Sequence, residues 1–430
     1  MKKVKVGVLG AYRGSSMIRY CKIAENAEVV AVCDKFIPVL ERQKEQDETG
    51  KIAFYDNFED FIKHDMDAVV LANYANEHAP FAIRCLKEGK HVFSEVLPVQ
   101  TMKEAVELIE TVEETGKVYA YGENYCWFSA VNEMTKLYKQ NIIGEIIYAD
   151  CEYLHNCEQI WPGCAYGDKN HWRNYMFSTF YCTHSLGPII HMSGLRPVSV
   201  TGFESTHNER QDIMGAKTAA YGIEMVTLEN GAVIRSAHGN MYKDSIWWRV
   251  HGTKGLMETA REETDNGKYD RIYVNYDEQA GAYETTKREN YMASEKFDEL
   301  AKKFEHGGSD FWSMYHFIEK IKGKEDADVI DVYQALDMCL CGHFAYRSIL
   351  DGGKPQQIPN LRLKEERDKW RNDVSCTDPK VAGDSLWPTR KTGTPEIPDE
   401  VYKQQEQTFY EQVKNGTGRF GAITGTRVKK

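Results

Sequence analysis

Short apolar runs recur through the first 124 residues, separated by segments whose apolar positions fall at helical spacing. The runs at 4–9, 29–33, 67–72, 91–95 and 118–121 are rich in Val and Ala, the pattern of strands buried on both faces. Between them the spacing predicts helices from the first glycine turn to about residue 25, then at 36–46, 78–88 and 101–114. Strands alternating with amphipathic helices predict a parallel, doubly wound α/β sheet.

The rhythm changes near residue 124. One helix at 130–140 ends at Gly144, and longer alternating strands follow at 145–155, 198–205, 218–228, 232–241, 247–251 and 272–276. Asn230-Gly231 is a hairpin turn signal between two of them. Strands of this kind predict a second, α+β domain with a large, open, mainly antiparallel sheet. Helices at 310–322 and 331–350 return the chain toward the core, and the run 364–369 reads as a solvated helix face. The divisions expected are a nucleotide domain at 1–124, a substrate domain at 125–372 and a wrapping extension at 373–430 with one helix at 399–414. An open sheet with one exposed face commonly pairs with a second copy, so a homo-oligomer is expected.

At 430 residues the chain can bury two full cores. Its net charge of −11, with no basic run, leaves no electrostatic footprint for nucleic acid or an anionic membrane. No apolar run is long enough for a signal region or a bilayer span. The eleven cysteines are an odd number without paired spacing, which reads as reduced thiols in a cytoplasm. Cys151, His155, Cys157, Cys164 and His171 contain no C-x-x-C or H-x-x-x-H pair, so no metal site is expected.

Candidate chemistry begins at Gly7-Val8-Leu9-Gly10-Ala11-Tyr12-Arg13-Gly14-Ser15, where the first βα turn belongs. Glycine there lets a backbone approach a pyrophosphate, and the following helix N-terminus favours its charge. The strict G-x-G-x-x-G spacing fails, because Tyr12 and Ser15 stand at the second and third glycine positions. Asp34, closing the second strand, strengthens the reading: a carboxylate there accepts from ribose hydroxyls and repels a 2′-phosphate. The cofactor expected is NAD.

Together with Asn73…His78, Glu88-Gly89-Lys90-His91-Val92-Phe93-Ser94-Glu95 and Pro98, this half resembles the glucose–fructose oxidoreductase/inositol dehydrogenase/MocA superfamily. That resemblance implies an N-terminal Rossmann domain, a C-terminal sheet domain and bound NAD(P). Members usually carry Glu-Lys-Pro after the fifth strand, with the Lys a catalytic candidate; here the run is Glu95-Val96-Leu97-Pro98. Farther on, Glu123-Asn124, Tyr153, His171-Trp172-Arg173, Tyr181-Cys182-Thr183-His184-Ser185-Leu186-Gly187-Pro188 and His306-Gly307-Gly308-Ser309-Asp310 are similar to its NAD-dependent α-N-acetylgalactosaminidase branch. A further tyrosine of that branch falls by spacing near Asp244 and is absent here.

Taken with the glycine turn, the resemblance implies cofactor contacts at Gly10, Tyr12, Arg13, Gly14, Asp34, Asn73, Asn76, His78, Glu95, Val96 and Asn124. It implies sugar contacts at Glu123, Tyr153, Arg173, Thr183 and His306, and catalysis by His184 and Tyr181. The chemistry implied is glycoside hydrolysis without net redox change: oxidation of a ring hydroxyl, the 3-hydroxyl, acidifies the neighbouring C–H. A base removes that proton, the aglycone leaves, water adds and the ketone is reduced again. Such a route needs no pair of carboxylates flanking the glycosidic bond. It needs a base of near-neutral pKa, which suits His184, a hydroxyl relay, which suits Tyr181, and a group to hold substrate oxygens, which suits Arg173. A core histidine, a packing tyrosine and a structural ion pair are the competing readings of these three. A sugar or cyclitol dehydrogenase yielding a keto-sugar, and a non-catalytic sensor of NAD and sugar, are the competing functions.

Overall fold

A computed structural model describes residues 3–261, 269–294 and 297–418. The last part of the extension expected over 373–430 lies outside the described residues.

In the first half, β1 (Val4–Leu9), β2 (Ala27–Cys33), β3 (Ala53–Tyr55), β4 (Ala68–Leu71), β5 (His91–Ser94) and β6 (Tyr119–Tyr121) form one sheet. Every pairing is parallel and the order is β3-β2-β1-β4-β5-β6, the doubly wound plan. Helices α1 (Ser15–Ile23), α2 (Ile37–Glu45), α3 (Phe58–Phe61), α4 (His78–Lys87) and α5 (Met102–Thr115) supply the crossovers. The order reverses between β1 and β4, so the carboxyl ends of these two strands open a crevice. Strand β3 and helix α3 were not expected; three and four residues are too short to show a period.

The second half carries α6 (Ser129–Lys139), β7 (Ile146–Leu154), α7 (Trp161–Ala165), α8 (Thr183–Ser193), β8 (Pro197–Glu204), α9 (Glu209–Met214), β9 (Tyr221–Leu228), β10 (Val233–Gly239) and β11 (Ser245–Gly252). Then come β12 (Gly255–Thr259), β13 (Arg271–Asp277), β14 (Thr286–Met292), α10 (Asp298–Ala301), α11 (Ser309–Ile321), α12 (Val332–Leu350), β15 (Gln356–Gln357), α13 (Lys364–Trp370), α14 (Pro379–Ala382) and α15 (Asp399–Asn415). The nine strands form a sheet in the order β14-β13-β12-β11-β7-β10-β9-β8-β15. It is antiparallel except where β10 runs parallel to β7. The hairpin at Asn230-Gly231 joins β9 to β10, with Gly231 at φ +88°.

Helix α8 lies across this sheet. Ser185 Oγ hydrogen-bonds Ser236 Oγ on β10 at 2.7 Å, and Trp248 Nε1 on β11 donates to the Ser185 carbonyl at 2.9 Å. Helix α11 packs on the first domain instead, with Phe311 5.5 Å from Tyr20 and Phe317 5.6 Å from Phe93. The run 364–369 is helical, but it is not wholly solvated. Arg367 is buried and pairs with Glu113 at 2.6 Å, because its aliphatic stem and charge dock α13 on α5. None of the eleven cysteines is in a disulfide, and no described helix is long and apolar enough to cross a membrane.

Candidate active site

One cavity of about 1130 Å³ runs from the crevice of the parallel sheet to the face of the second sheet under α8. At its first end, Gly10 sits at φ +92°, and a Cβ there would lie 2.4 Å from the Ala72 carbonyl carbon. Only glycine lets β1 turn this closely against β4. Asp34 accepts from the backbone N–H groups of Ala11 and Phe36, both at 2.8 Å, which aims its carboxylate along the crevice. Burial nevertheless raises its pKa above the ordinary carboxylate value. Asn73 holds a buried Oδ1 with no hydrogen-bond partner beside Gly10. The bare backbone at Gly10, the carboxylate at the strand end and the unsatisfied amide oxygen fit a dinucleotide with an unmodified adenosine ribose.

Arg13 is tied down rather than presented. Its guanidinium makes two 2.8 Å hydrogen bonds to Asp310 and a 2.8 Å ion pair with Glu95. Asn124 Nδ2 donates to the same Asp310 at 2.8 Å. Burial alone would raise the Asp310 carboxyl, but Arg13 and then His306 hold it well below the usual carboxylate range. This knot joins the glycine turn, the end of β5 and the start of α11, so it fixes the floor where the two halves meet. Glu305, His306 and Asp310 also bring ligand atoms within 4.8 Å of one another, the grouping of that kind among the described residues. Arg13 opposes a cation there, since it already occupies both Asp310 oxygens.

At the second end, His184 Nδ1 donates to Glu123 Oε1 at 2.6 Å. Glu123 is fully buried and His184 is 7% exposed. Gly187, one turn further along α8, explains the fit: a Cβ there would lie 2.8 Å from Glu123 Cγ. His184 and Gly187 share a helix face, so the glycine makes room for the carboxylate that the histidine holds. With Nδ1 engaged, Nε2 is the nitrogen left for proton exchange. The Tyr125 ring stacks on His184 at 4.2 Å, while Tyr153 and Tyr181 meet its edge at 4.7 and 5.1 Å. Arg173 lies over Trp172 at 4.4 Å and over Tyr181 at 5.8 Å. Of the four other imidazoles that line the cavity, His155, His171, His238 and His306, burial pushes His171 and His238 down to about 3 and about 4. Both are therefore neutral and weakly basic near pH 7.

Gly10, Tyr12, Arg13, Asp34, Asn73, Glu95, Val96 and Asn124 line the cavity, as do Tyr153, Arg173, Tyr181, His184 and His306. Five expected contacts do not. Glu123 reaches the cavity only through His184. Thr183 is fully buried and bonded to Tyr121 Oη at 3.1 Å, because its place at the start of α8 points it into the core. His78 is buried with Nδ1 on the Leu97 carbonyl at 2.9 Å. Gly14 stands behind the turn as the cap of α1, and Asn76 lies behind the wall made by Asn73 to Ala75 and Glu77. Sequence reasoning missed Tyr125, Phe36, Tyr166 and Phe409; only Tyr125 had a local signal, its place directly after Glu123-Asn124.

Two family models match. Residues 4–123 match an oxidoreductase family with an NAD-binding Rossmann fold, and residues 130–371 match the C-terminal domain of glycosyl hydrolase 109. A glycosyl hydrolase family 109 protein of Solibacter usitatus is 28% identical over 415 residues, covering 86% of this chain and 89% of that one. Another, from Bacteroides thetaiotaomicron, is 26% identical over 418 residues, covering 84% and 85%. Among solved structures, the scyllo-inositol dehydrogenase of Lactobacillus casei with bound NAD(H) and scyllo-inositol superposes with a TM-score of 0.63. It is 16% identical and covers 83% of this chain and 99% of that one. The aldose-aldose oxidoreductase of Caulobacter crescentus superposes at 0.65 with 18% identity, covering 83% and 100%. These two likenesses establish the fold. The chain belongs to glycosyl hydrolase family 109, built on an NAD-binding oxidoreductase scaffold of the glucose–fructose oxidoreductase/inositol dehydrogenase/MocA type.

Proposed function

We propose that the protein hydrolyses a glycoside by oxidising a ring hydroxyl, eliminating the aglycone, adding water and reducing the ketone again. The observation that carries this reading is the His184–Glu123 pair, which opens into the same cavity as the dinucleotide crevice. Bound NAD supplies reversible oxidation of the sugar's carbinol carbon.

Gly10 and the start of α1 receive the pyrophosphate, Asp34 takes the ribose hydroxyls, and Val96 and Asn124 border the reacting end. Tyr153 and Arg173 hold the sugar, with Arg173 donating to its oxygens. Tyr181 Oη relays the proton of the hydroxyl being oxidised and donates to the resulting ketone oxygen, polarising it. His184 Nε2 removes the proton from the adjacent ring carbon, exchanges it with solvent, and protonates that carbon again when water has added. Glu123 fixes the Nδ1–H tautomer and stabilises the imidazolium that forms. Val96 stands where relatives of the superfamily carry a lysine, so the proton work rests on His184 and Tyr181. We further propose a cytoplasmic setting, which the free thiols support, and pairing with a second copy through the sheet face that exposes Ile147, Phe203 and Tyr273.

A panel of aryl glycosides tests the reading. Release of aglycone with no accumulation of reduced dinucleotide is expected. Stoichiometric accumulation of reduced NAD would mean a dehydrogenase, and neither signal would mean a sensor.

A further inference from the structure

The reaction above makes no use of the C-terminal helix α15, yet that helix walls the same cavity. We infer that α15 completes the adenosine end of the NAD site, with Phe409 closing the exit for the cofactor.

Asp34 marks the ribose, and two residues later Phe36 marks where the adenine side of the crevice must be. The Phe36 ring lies 6.3 Å from Tyr166, nearly coplanar at 20°, and 6.2 Å from Phe409. Tyr166 and Phe409 meet edge to face at 5.0 Å, so three rings from three distant parts of the chain form one aromatic wall. Phe409 is 2% exposed and packs into the core that holds β1 and α1. The rest of α15 is anchored to the other half of the molecule. Tyr402 Oη donates to the Gly215 carbonyl at 3.0 Å, and Gln405 Nε2 donates to the Ile213 carbonyl at 2.8 Å, both at α9. The helix therefore bridges the crevice, and the adenosine end cannot open unless Phe409 leaves its place. Edge-to-face ring pairs of this kind add to the burial of their own area, so the wall resists that opening. The inference rests on NAD in the Rossmann crevice and not on which reaction follows. A reaction that regenerates its cofactor in each cycle gains nothing from releasing it.

The test is exchange of bound NAD. Full-length protein loaded with NAD is mixed with excess radiolabelled NAD, and label retained after rapid desalting is followed in time. Phe409→Ala is expected to exchange at least about tenfold faster than the unaltered protein. Phe36→Ala should do the same, and the double variant should be no faster than the faster single one, because both open one wall. Lys414→Ala, on the solvent side of α15, should exchange at the original rate. If Phe409→Ala does not fold, Phe409→Leu, which keeps apolar packing and loses the ring, is read by the same comparison. An exchange rate in the folded Phe409 variant within twofold of the original overturns the inference, as does equal acceleration by Lys414→Ala. None of these readings depends on glycosidase activity, so failure of the proposed reaction leaves them intact.

Discussion

At the scale of single residues, the proposed chemistry turns on one nitrogen. His184 gives its Nδ1 proton to a carboxylate at 2.6 Å that has no exposure of its own, so Nε2 is left to act in the cavity. His184→Ala should lower kcat by at least about a hundredfold, the low end for loss of a general acid/base, while the NAD released on denaturation stays stoichiometric. Glu123→Gln keeps the shape and removes the charge. It should lower kcat and leave KM nearly unchanged, whereas a sugar ligand would raise KM. Tyr181→Phe removes one hydroxyl and should slow the redox step without loss of fold. Near-original turnover in both His184→Ala and Tyr181→Phe would remove these residues from the chemistry. The places of His184, Tyr181 and Arg173 in the cavity were legible in the sequence because they fall in one short stretch. Tyr125 was not, since stacking on His184 depends on where two remote segments meet, and Thr183 misled because adjacency in a motif does not say which way a side chain turns.

At the scale of elements, α8 is held to its place by Gly187. Gly187→Ala puts a methyl 2.8 Å from Glu123 Cγ and 3.3 Å from Met338 Sδ, so one of them must move. The expected result is a loss of kcat approaching that of Glu123→Gln, with only modest loss of stability; unchanged kcat would contradict the account of that glycine. Helix α5 gives a separate test. Its capping box joins Thr101 and Glu104, and burial pushes the Glu104 carboxyl up to about 7. The folded protein then keeps a proton that the unfolded chain gives up, so this contribution is full below about pH 4.5 and is lost as pH rises through about 7. Glu104→Gln should flatten the fall in thermal midpoint across that window, and an unchanged slope would contradict it. The long periodic elements were legible in the sequence to within a few residues. Strands β12 and β14 were not: β12 has five residues, and β14 reads Thr-Lys-Arg-Glu-Asn-Tyr-Met, polar nearly throughout because it lies at the sheet edge.

At the scale of the whole molecule, two sheets of different construction meet so that a parallel crevice and an antiparallel face share one cavity. The alternation of strand and helix followed by long strands made both sheets legible in the sequence. The bridge by α15 and the knot of Arg13, Glu95 and Asp310 were not, because each joins residues hundreds of positions apart through contacts that leave no local period. The shared cavity is what allows oxidation at one carbon to serve bond cleavage at another. That claim is tested most directly by turnover of a cleavable glycoside in deuterium oxide, with mass and NMR analysis of the released sugar. The account predicts one solvent deuteron at the ring carbon between the oxidised carbon and the anomeric carbon, with no accumulation of reduced dinucleotide. Release of a sugar that carries no deuterium at that carbon would contradict it.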